Sequence, residues 1–363
     1  MPEIHPSGPS ISQHHPADGE PPLPLPPFTF RDIFVGADGL RAGWGAILFL
    51  ALCIALMFLT GSVLHTLEGL HHGPGSTPAT QSQPGTQSEA SMTPGYIFLH
   101  EVVPFVGVLL ATWLMGKIER RPASAYGFCP QHRTRNFLAG LAWGVLLVSL
   151  LVYLLRAGGL LVFDARLLSR SSIARYGAIW FGNFLVVGLF EELMSRGYLQ
   201  FTLTRGLSGF YRWLFRTTHA NTLGFWTAAL VLSFAFGYDH RGNPGESPLG
   251  LLAAGLVGFL LCFSLWRTGS LWWAIGFHAA WDWAESFLYG VPDSGLMVKG
   301  RLFATHPVGQ PYLSGGVTGP EGSLLLLPVI LAGVAVILLT LPRTNSGYQP
   351  ASVPQPVAAL DLP

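Results

Sequence analysis

The sequence predicts an all-α fold, a polytopic membrane helix bundle of about eight transmembrane helices, and three observations carry that prediction. Half of the 363 residues are apolar and only 11% are charged, with a mean hydropathy of +0.44, a balance foreign to water-soluble chains of this size. Uncharged runs of about 20 residues recur along the chain, each long enough to cross a bilayer core of ~30 Å. Several further apolar spans nevertheless contain carboxylates, histidines or an arginine, which in lipid turn towards a bundle interior or a wet cavity and mark function.

The near-neutral net charge of +1, with basic residues scattered over short loops, points away from nucleic acid as a partner. Cys53, Cys129 and Cys262 lack metal-binding spacing, and Cys53 and Cys262 lie inside apolar runs, so they read as packing residues. The chain divides into residues 1–43, a Pro-rich disordered tail and interfacial segment; residues 44–341, the transmembrane bundle, with the chemistry-bearing motifs in 179–289; and residues 342–363, a disordered C-terminal tail. His5, His14 and His15 belong to the solvated low-complexity end rather than to a metal site.

Trp44 to Leu64 is the first expected span, followed by a Gly/Ser/Thr/Gln/Pro-rich loop without Lys or Arg, which favours the non-cytoplasmic side. Tyr96 to Met115 is the second. His100 and Glu101 near its start are expected to anchor at the interface, because no His stands at 104 to complete HExxH. Lys117, Arg120, Arg121, Arg133 and Arg135 then make the most basic loop, which should face the cytoplasm and place both termini there. Phe137 to Leu155 is the third span, and residues 156–175 are expected to be an interfacial connector. The fourth starts near Tyr176 and continues past Gly197; the fifth runs from about Leu223 to Asp239. Leu249–Trp266 and Leu271–Tyr289, joined by the tight turn Arg267–Ser270, must be antiparallel neighbours, and Ser323–Leu341 is the eighth span.

The chain is organised around Glu191-Glu192-Leu193-Met194-Ser195-Arg196, which follows an uncharged stretch from Tyr176 to Leu189. Each ionised carboxylate near a bilayer centre costs ~2.5–3.5 kcal/mol on insertion scales. Glu192 and Arg196 stand one helical turn apart and can neutralise one another, while Glu191 points about 100° away and is free for other work. His240 closes the fifth span. On the seventh, His278 and Asp282 share one face, with Glu285 a turn further along and expected near the interface. Trp272, Trp273, Trp281 and Trp283 read as interfacial belt and core packing rather than a substrate cage.

Such a set can run hydrolysis in two ways. Glu191 can take a proton from water while His278 and Asp282 stabilise the developing oxyanion, with no cofactor. Alternatively Glu191, His240 and His278 can hold zinc, which activates its bound water. The metal-free route is favoured, because the histidines come from different helices without the paired i, i+4 spacing of many zinc peptidases.

Taken together, Glu191-Glu192-x-x-x-Arg196, Phe236-x-x-x-His240 and His278-x-x-x-Asp282, in that order on apolar helices, resemble the motifs of the CPBP (CaaX protease and bacteriocin-processing, Abi) family of intramembrane endopeptidases, which includes the type II CaaX prenyl endopeptidases. The resemblance covers roughly residues 179–289. It implies that Glu191 is the catalytic base supported by Glu192 and Arg196, that His240 holds the water with Glu191, and that His278 with Asp282 forms the oxyanion site. Many members carry Asn where this chain has Asp282; an ionised Asp cannot donate a hydrogen bond, so Asp282 is expected to orient His278 or to stay protonated. Phe236 is expected to pack beside the site. The implied partners are the lipid bilayer and a membrane-bound peptide or lipidated protein substrate, and the expected location is the plasma membrane of a prokaryote. Two rivals of other classes share the buried charges: a transporter, against which stands the lack of an inverted repeat, and a non-catalytic immunity-type scaffold, against which stands the complete motif set.

Overall fold

The computed structural model describes residues 29–36, 39–71 and 93–341. The Pro-rich N-terminal tail, most of the loop expected between the first two spans and the C-terminal tail lie outside the described residues. The short helix α1 (Arg31–Phe34) and the paired segments β1 (Val35–Gly36) and β2 (Gly39–Leu40) lead into α2 (Ala42–His71). Next come α3 (Pro94–Ile118), α4 (Arg133–Ala157), strand β3 (Leu161–Arg166) and α5 (Arg170–Glu192). A π-helical turn, Leu193–Leu199, carries α5 without a break into α6 (Gln200–Phe215). Then follow α7 (Ala220–Asp239), α8 (Pro248–Thr268), α9 (Trp272–Trp283) with its own π-helical continuation Ala284–Tyr289, strand β4 (Phe303–Pro307), the single turn α10 (Pro311–Ser314) and α11 (Leu326–Thr340).

Local sequence sets these boundaries. Thr93 caps α3 by accepting from the Tyr96 amide, and Ser247 caps α8 by accepting from the Gly250 amide, each with a proline just inside the helix where its missing N–H costs nothing. Gly269, in the left-handed region at φ 63°, ends α8 and makes the tight turn into α9.

Among the described residues, six helices are long and apolar enough to cross a membrane, and the one spanning Arg170–Phe215 has 46 residues. The chain is thus a polytopic helical membrane bundle. The seventh and eighth expected spans are present as helices but shorter: α9 with its π turn, and the 15-residue α11. α9 is short because it is central. Trp273, Ala274, Ile275, Phe277, Ala279, Ala280 and Trp281 are all buried, and α4, α5 and α8 pack around it. By contrast Ile47, Ile54, Phe58, Leu59 and Val63 on α2 are exposed, the face a lipid-contacting helix presents. The tryptophans of α9 therefore serve the core rather than an interfacial belt: Trp273, Phe277 and Trp281 stack in sequence with centroids 5.0 and 5.7 Å apart.

The close approach of α4 and α9 depends on glycine. A Cβ on Gly140 would run into the Trp273 carbonyl, and one on Gly276 into the Phe137 carbonyl. Without a hydrophobic driving force between helices in lipid, such small-residue seams are what let backbones meet.

The connector at 156–175 departs from expectation. Residues 161–166 form β3, which pairs antiparallel with β4, Leu161 opposite Pro307 and Arg166 opposite Phe303, with an irregularity between Phe163 and Ala165. The Gly/Pro-rich segment after residue 290 is thereby fastened back over the end of α4 and α5 instead of trailing as a loop. At the opposite end of the bundle, Glu119 after α3 accepts from the Tyr198 hydroxyl at 2.8 Å and pairs with Arg121 at 3.3 Å and Arg205 at 3.6 Å.

Candidate active site

Glu191 and Glu192 end the regular part of α5, and the helix widens into its π turn immediately afterwards. A second π turn begins at Ala284, two residues after Asp282. π turns shift side chains around the helix axis relative to a plain helix and recur at functional sites; here two of the three helices that bring the motifs together carry one.

Glu192 and Arg196 meet as their spacing requires. The Arg196 Nη1 donates to Glu192 Oε1, both side chains being almost fully buried. The guanidinium also donates from Nε to the Gly258 carbonyl at 3.3 Å and lies over the Phe236 ring, 4.6 Å from its centroid. The same Glu192 oxygen stands 2.9 Å from His278 Nδ1. The opposite ring nitrogen, Nε2, faces Glu191 Oε2 at 3.6 Å and Asp282 Oδ2 at 3.5 Å. His278 is thus the hub, flanked by three carboxylates, and Asp282 is placed to orient it.

Glu191 turns away from Arg196 into a cavity of about 240 Å³, whose wall also includes Phe236, His240, His278 and Asp282. Glu192 and Arg196 stand behind that wall. Among the described residues Glu191 Oε2 is buried without a hydrogen-bond partner, although the side chain as a whole is 25% exposed. His240 reaches the cavity from the end of α7, its Nδ1 2.8 Å from the Phe236 carbonyl and its ring 4.9 Å from the Phe236 ring. Phe236 is therefore a spacer, wedged between Arg196 and His240, with its ring centroid 6.3 Å from that of His278 in a T-shaped arrangement.

The six candidate catalytic residues gather at or just behind the wall of this one cavity. Among the described residues, the group of His, Cys, Asp and Glu side chains gathered closely enough to share one ion is Glu285, Asp293 and Glu321. Glu191, His240 and His278 form no such group, and His278 Nδ1 is already engaged by Glu192.

Two expectations need correcting. Glu285 is fully buried rather than near an interface, because the π turn swings it back into the bundle. Glu101 is not an interfacial anchor: α3 packs on α5 and sets Glu101 in the cavity wall with Glu191. Asp239, Asn243, Asp293, Ser294 and Glu321 also line the cavity and were not singled out from the sequence. The one available signal was that Asp293 and Glu321 are the only acidic residues between 290 and 325. Near the same end, burial raises the Glu246 carboxyl above its ordinary value, opposed by the hydrogen bond it accepts from the Ser247 amide.

A polytopic helical bundle with a buried acid–histidine cluster beside a cavity is an arrangement expected of membrane-embedded hydrolases. A family model described as "Type II CAAX prenyl endopeptidase Rce1-like" matches residues 173–284. That segment, about a third of the chain, is similar to the CAAX-type intramembrane proteases, in line with the motif resemblance, and it contains all six candidate catalytic residues. No curated protein and no solved structure matches the chain.

Proposed function

We propose that the protein is an intramembrane endopeptidase that hydrolyses a peptide bond of a membrane-associated substrate with water activated by Glu191. The observation that supports this reading best is the division of labour between adjacent carboxylates: Glu192 is neutralised by Arg196 and His278, whereas Glu191 faces the cavity without a hydrogen-bond partner among the described residues. A water held between Glu191 and His240 would lose a proton to Glu191 and attack the scissile carbonyl. His278, oriented by Glu192 on one side and Asp282 on the other, would donate from Nε2 to the oxyanion as it forms. The proton on Glu191 then passes to the leaving amine. Asp282, 3.5 Å from His278 Nε2, acts as an acceptor that aligns the ring and takes the role a donor amide would have only if it carries a proton itself.

Two substrate classes fit a family of this kind, the C-terminal tripeptide of a CaaX-type prenylated protein and a small secreted peptide. Both would enter a cavity embedded in the membrane.

The test is turnover of a membrane-bound peptide by purified protein. Glu191→Gln should lower kcat by at least ~10³-fold, while stability stays within about 0.5 kcal/mol of the parent. Full activity in Glu191→Gln would end this reading. For the zinc alternative, loss of turnover with a chelator, recovery with zinc and loss of bound zinc in both His240→Ala and His278→Ala would replace the metal-free route.

A further inference from the structure

Beyond Asp282 in the chain, the structure gathers a second set of acids that the proposed hydrolysis does not use. Glu285 on the π turn after α9, Asp293 in the following loop and Glu321 just before α11 point at one another, with ligating oxygens all within 4.8 Å. Glu285 and Glu321 lie outside the matched family segment, as does Asp293. An acidic cluster alone means little, but Glu285 is 0% exposed and neither of its carboxylate oxygens has a hydrogen-bond partner among the described residues. A buried carboxylate left so is costly unless something satisfies it.

A shared proton is the first candidate. One shared proton joins only one pair of carboxylate oxygens, whereas both oxygens of Glu285 are buried without a partner among the described residues. A cation has longer reach. Oxygens at 2.3–2.6 Å on opposite sides of one calcium ion stand up to about 5 Å apart, and the three groups lie inside that sphere. The remaining two acids are also held in place from behind, the arrangement that orients metal ligands. Trp281 Nε1 donates to Glu321 Oε1 at 3.0 Å, the Ser294 hydroxyl donates to Glu321 Oε2 at 2.9 Å, and the Ser286 hydroxyl donates to Asp293 Oδ2 at 3.3 Å.

We propose that Glu285, Asp293 and Glu321 form a binding site for one hard divalent cation, calcium by preference, which ties the end of α9 to the segments on either side of β4. An all-oxygen set of three carboxylates suits calcium, magnesium or manganese rather than zinc or copper. Asp293 and Glu321 also line the cavity that holds Glu191 and His278, so the ion braces part of the same wall.

Binding is measurable without any assay of proteolysis, so the outcome is independent of the function proposed above. Purified full-length protein, stripped with EGTA, is titrated with calcium, magnesium and manganese, and with terbium excited through tryptophan, Trp281 being bonded to a ligand. One calcium ion per chain is expected, with a melting temperature raised by about 5 °C at saturation. Glu285→Gln and Asp293→Asn should each weaken binding at least tenfold and abolish the thermal shift. If Glu285→Gln fails to fold, Glu321→Gln, which is partly exposed, carries the same test. No bound ion and no shift with any of the three metals at millimolar concentration overturns the proposal, as does calcium binding that survives all three substitutions. A chelator effect on turnover is then assigned by its rescue: calcium restoring parent activity but not that of Glu285→Gln identifies this site, zinc restoring it identifies the histidines.

Discussion

At the scale of single residues, the arrangement turns on which of two adjacent carboxylates is neutralised. Arg196 reaches Glu192 and not Glu191 because side chains four apart share a helix face, and His278 closes the other side of the same oxygen. Removing one member of a buried ion pair leaves the other uncompensated and costs ~3–5 kcal/mol, whereas replacing both by apolar or neutral isosteres can be almost neutral. Arg196→Met should therefore lower stability by about 3 kcal/mol, read from thermal melts in detergent. The double variant Glu192→Gln/Arg196→Met should recover most of that loss yet remain impaired in kcat, because the acceptor beside His278 Nδ1 becomes a neutral amide that holds the ring and its proton less firmly than a carboxylate. Recovery of full activity in the double variant would show the pair to be structural only. These residues were legible in the sequence because charge inside an apolar run is rare and the spacing fixes the partner. Glu285 and Glu101 were not: each lies near the end of a span, where a carboxylate ordinarily reaches water, and only the π turn and the packing of α3 on α5 bring them inside.

At the scale of elements, the positions of His278 and Asp282 rest on how closely α9 can lie against α4 and α5. Gly276, two residues before His278, meets the Phe137 backbone on α4, and Gly188, three before Glu191, faces the Ile275 carbonyl and the Ala279 amide on α9. Overpacking of such a seam typically costs 1–3 kcal/mol. Gly276→Val should destabilise the protein by ~2 kcal/mol or more and lower turnover further than stability alone explains, since α9 carries the ring that faces Glu191. Gly182→Ala, where nothing stands within 4 Å of the added methyl, serves as the control and should leave melting unchanged. A variant at Gly276 that matches the parent in both measurements would show that the seam does not set the site. The helices themselves were readable from uncharged length. The β3–β4 pair was not, because Leu-Val-Phe-Asp-Ala-Arg alternates too briefly to be told from an interfacial connector, and its partner lies some 140 residues away in a segment dense in Gly and Pro.

At the scale of the whole molecule, helices that alternate in direction assign every connection to one of two ends. The loops after α7 and after α9, which supply Asn243, Asp293 and Ser294 to the cavity, lie at the end shared with the connection between α2 and α3. The other end holds the connections after α3, α6 and α8, with Lys117, Arg120, Arg133, Arg135, Arg212, Arg216 and Arg267. It also holds the exposed aromatic residues Phe210, Trp213 and Phe215 of α6, as an interfacial belt would. The positive-inside tendency predicts that the basic end is cytoplasmic, with Arg156, Arg166, Arg170 and Arg175 at the opposite end reducing the bias. On this orientation the cavity opens away from the cytoplasm, which suits a small exported peptide better than the tail of a cytoplasmic prenylated protein. Reporter fusions after residues 80, 126 and 243 decide it: 80 and 243 should report the non-cytoplasmic side and 126 the cytoplasm. If 80 and 243 report the cytoplasm and 126 the outside, the helix order stands, the orientation inverts and the prenylated substrate becomes the better fit. Residues 80 and 126 on the same side would instead mean that α3 does not cross the membrane, and the placement of Glu101 beside Glu191 would fall with it.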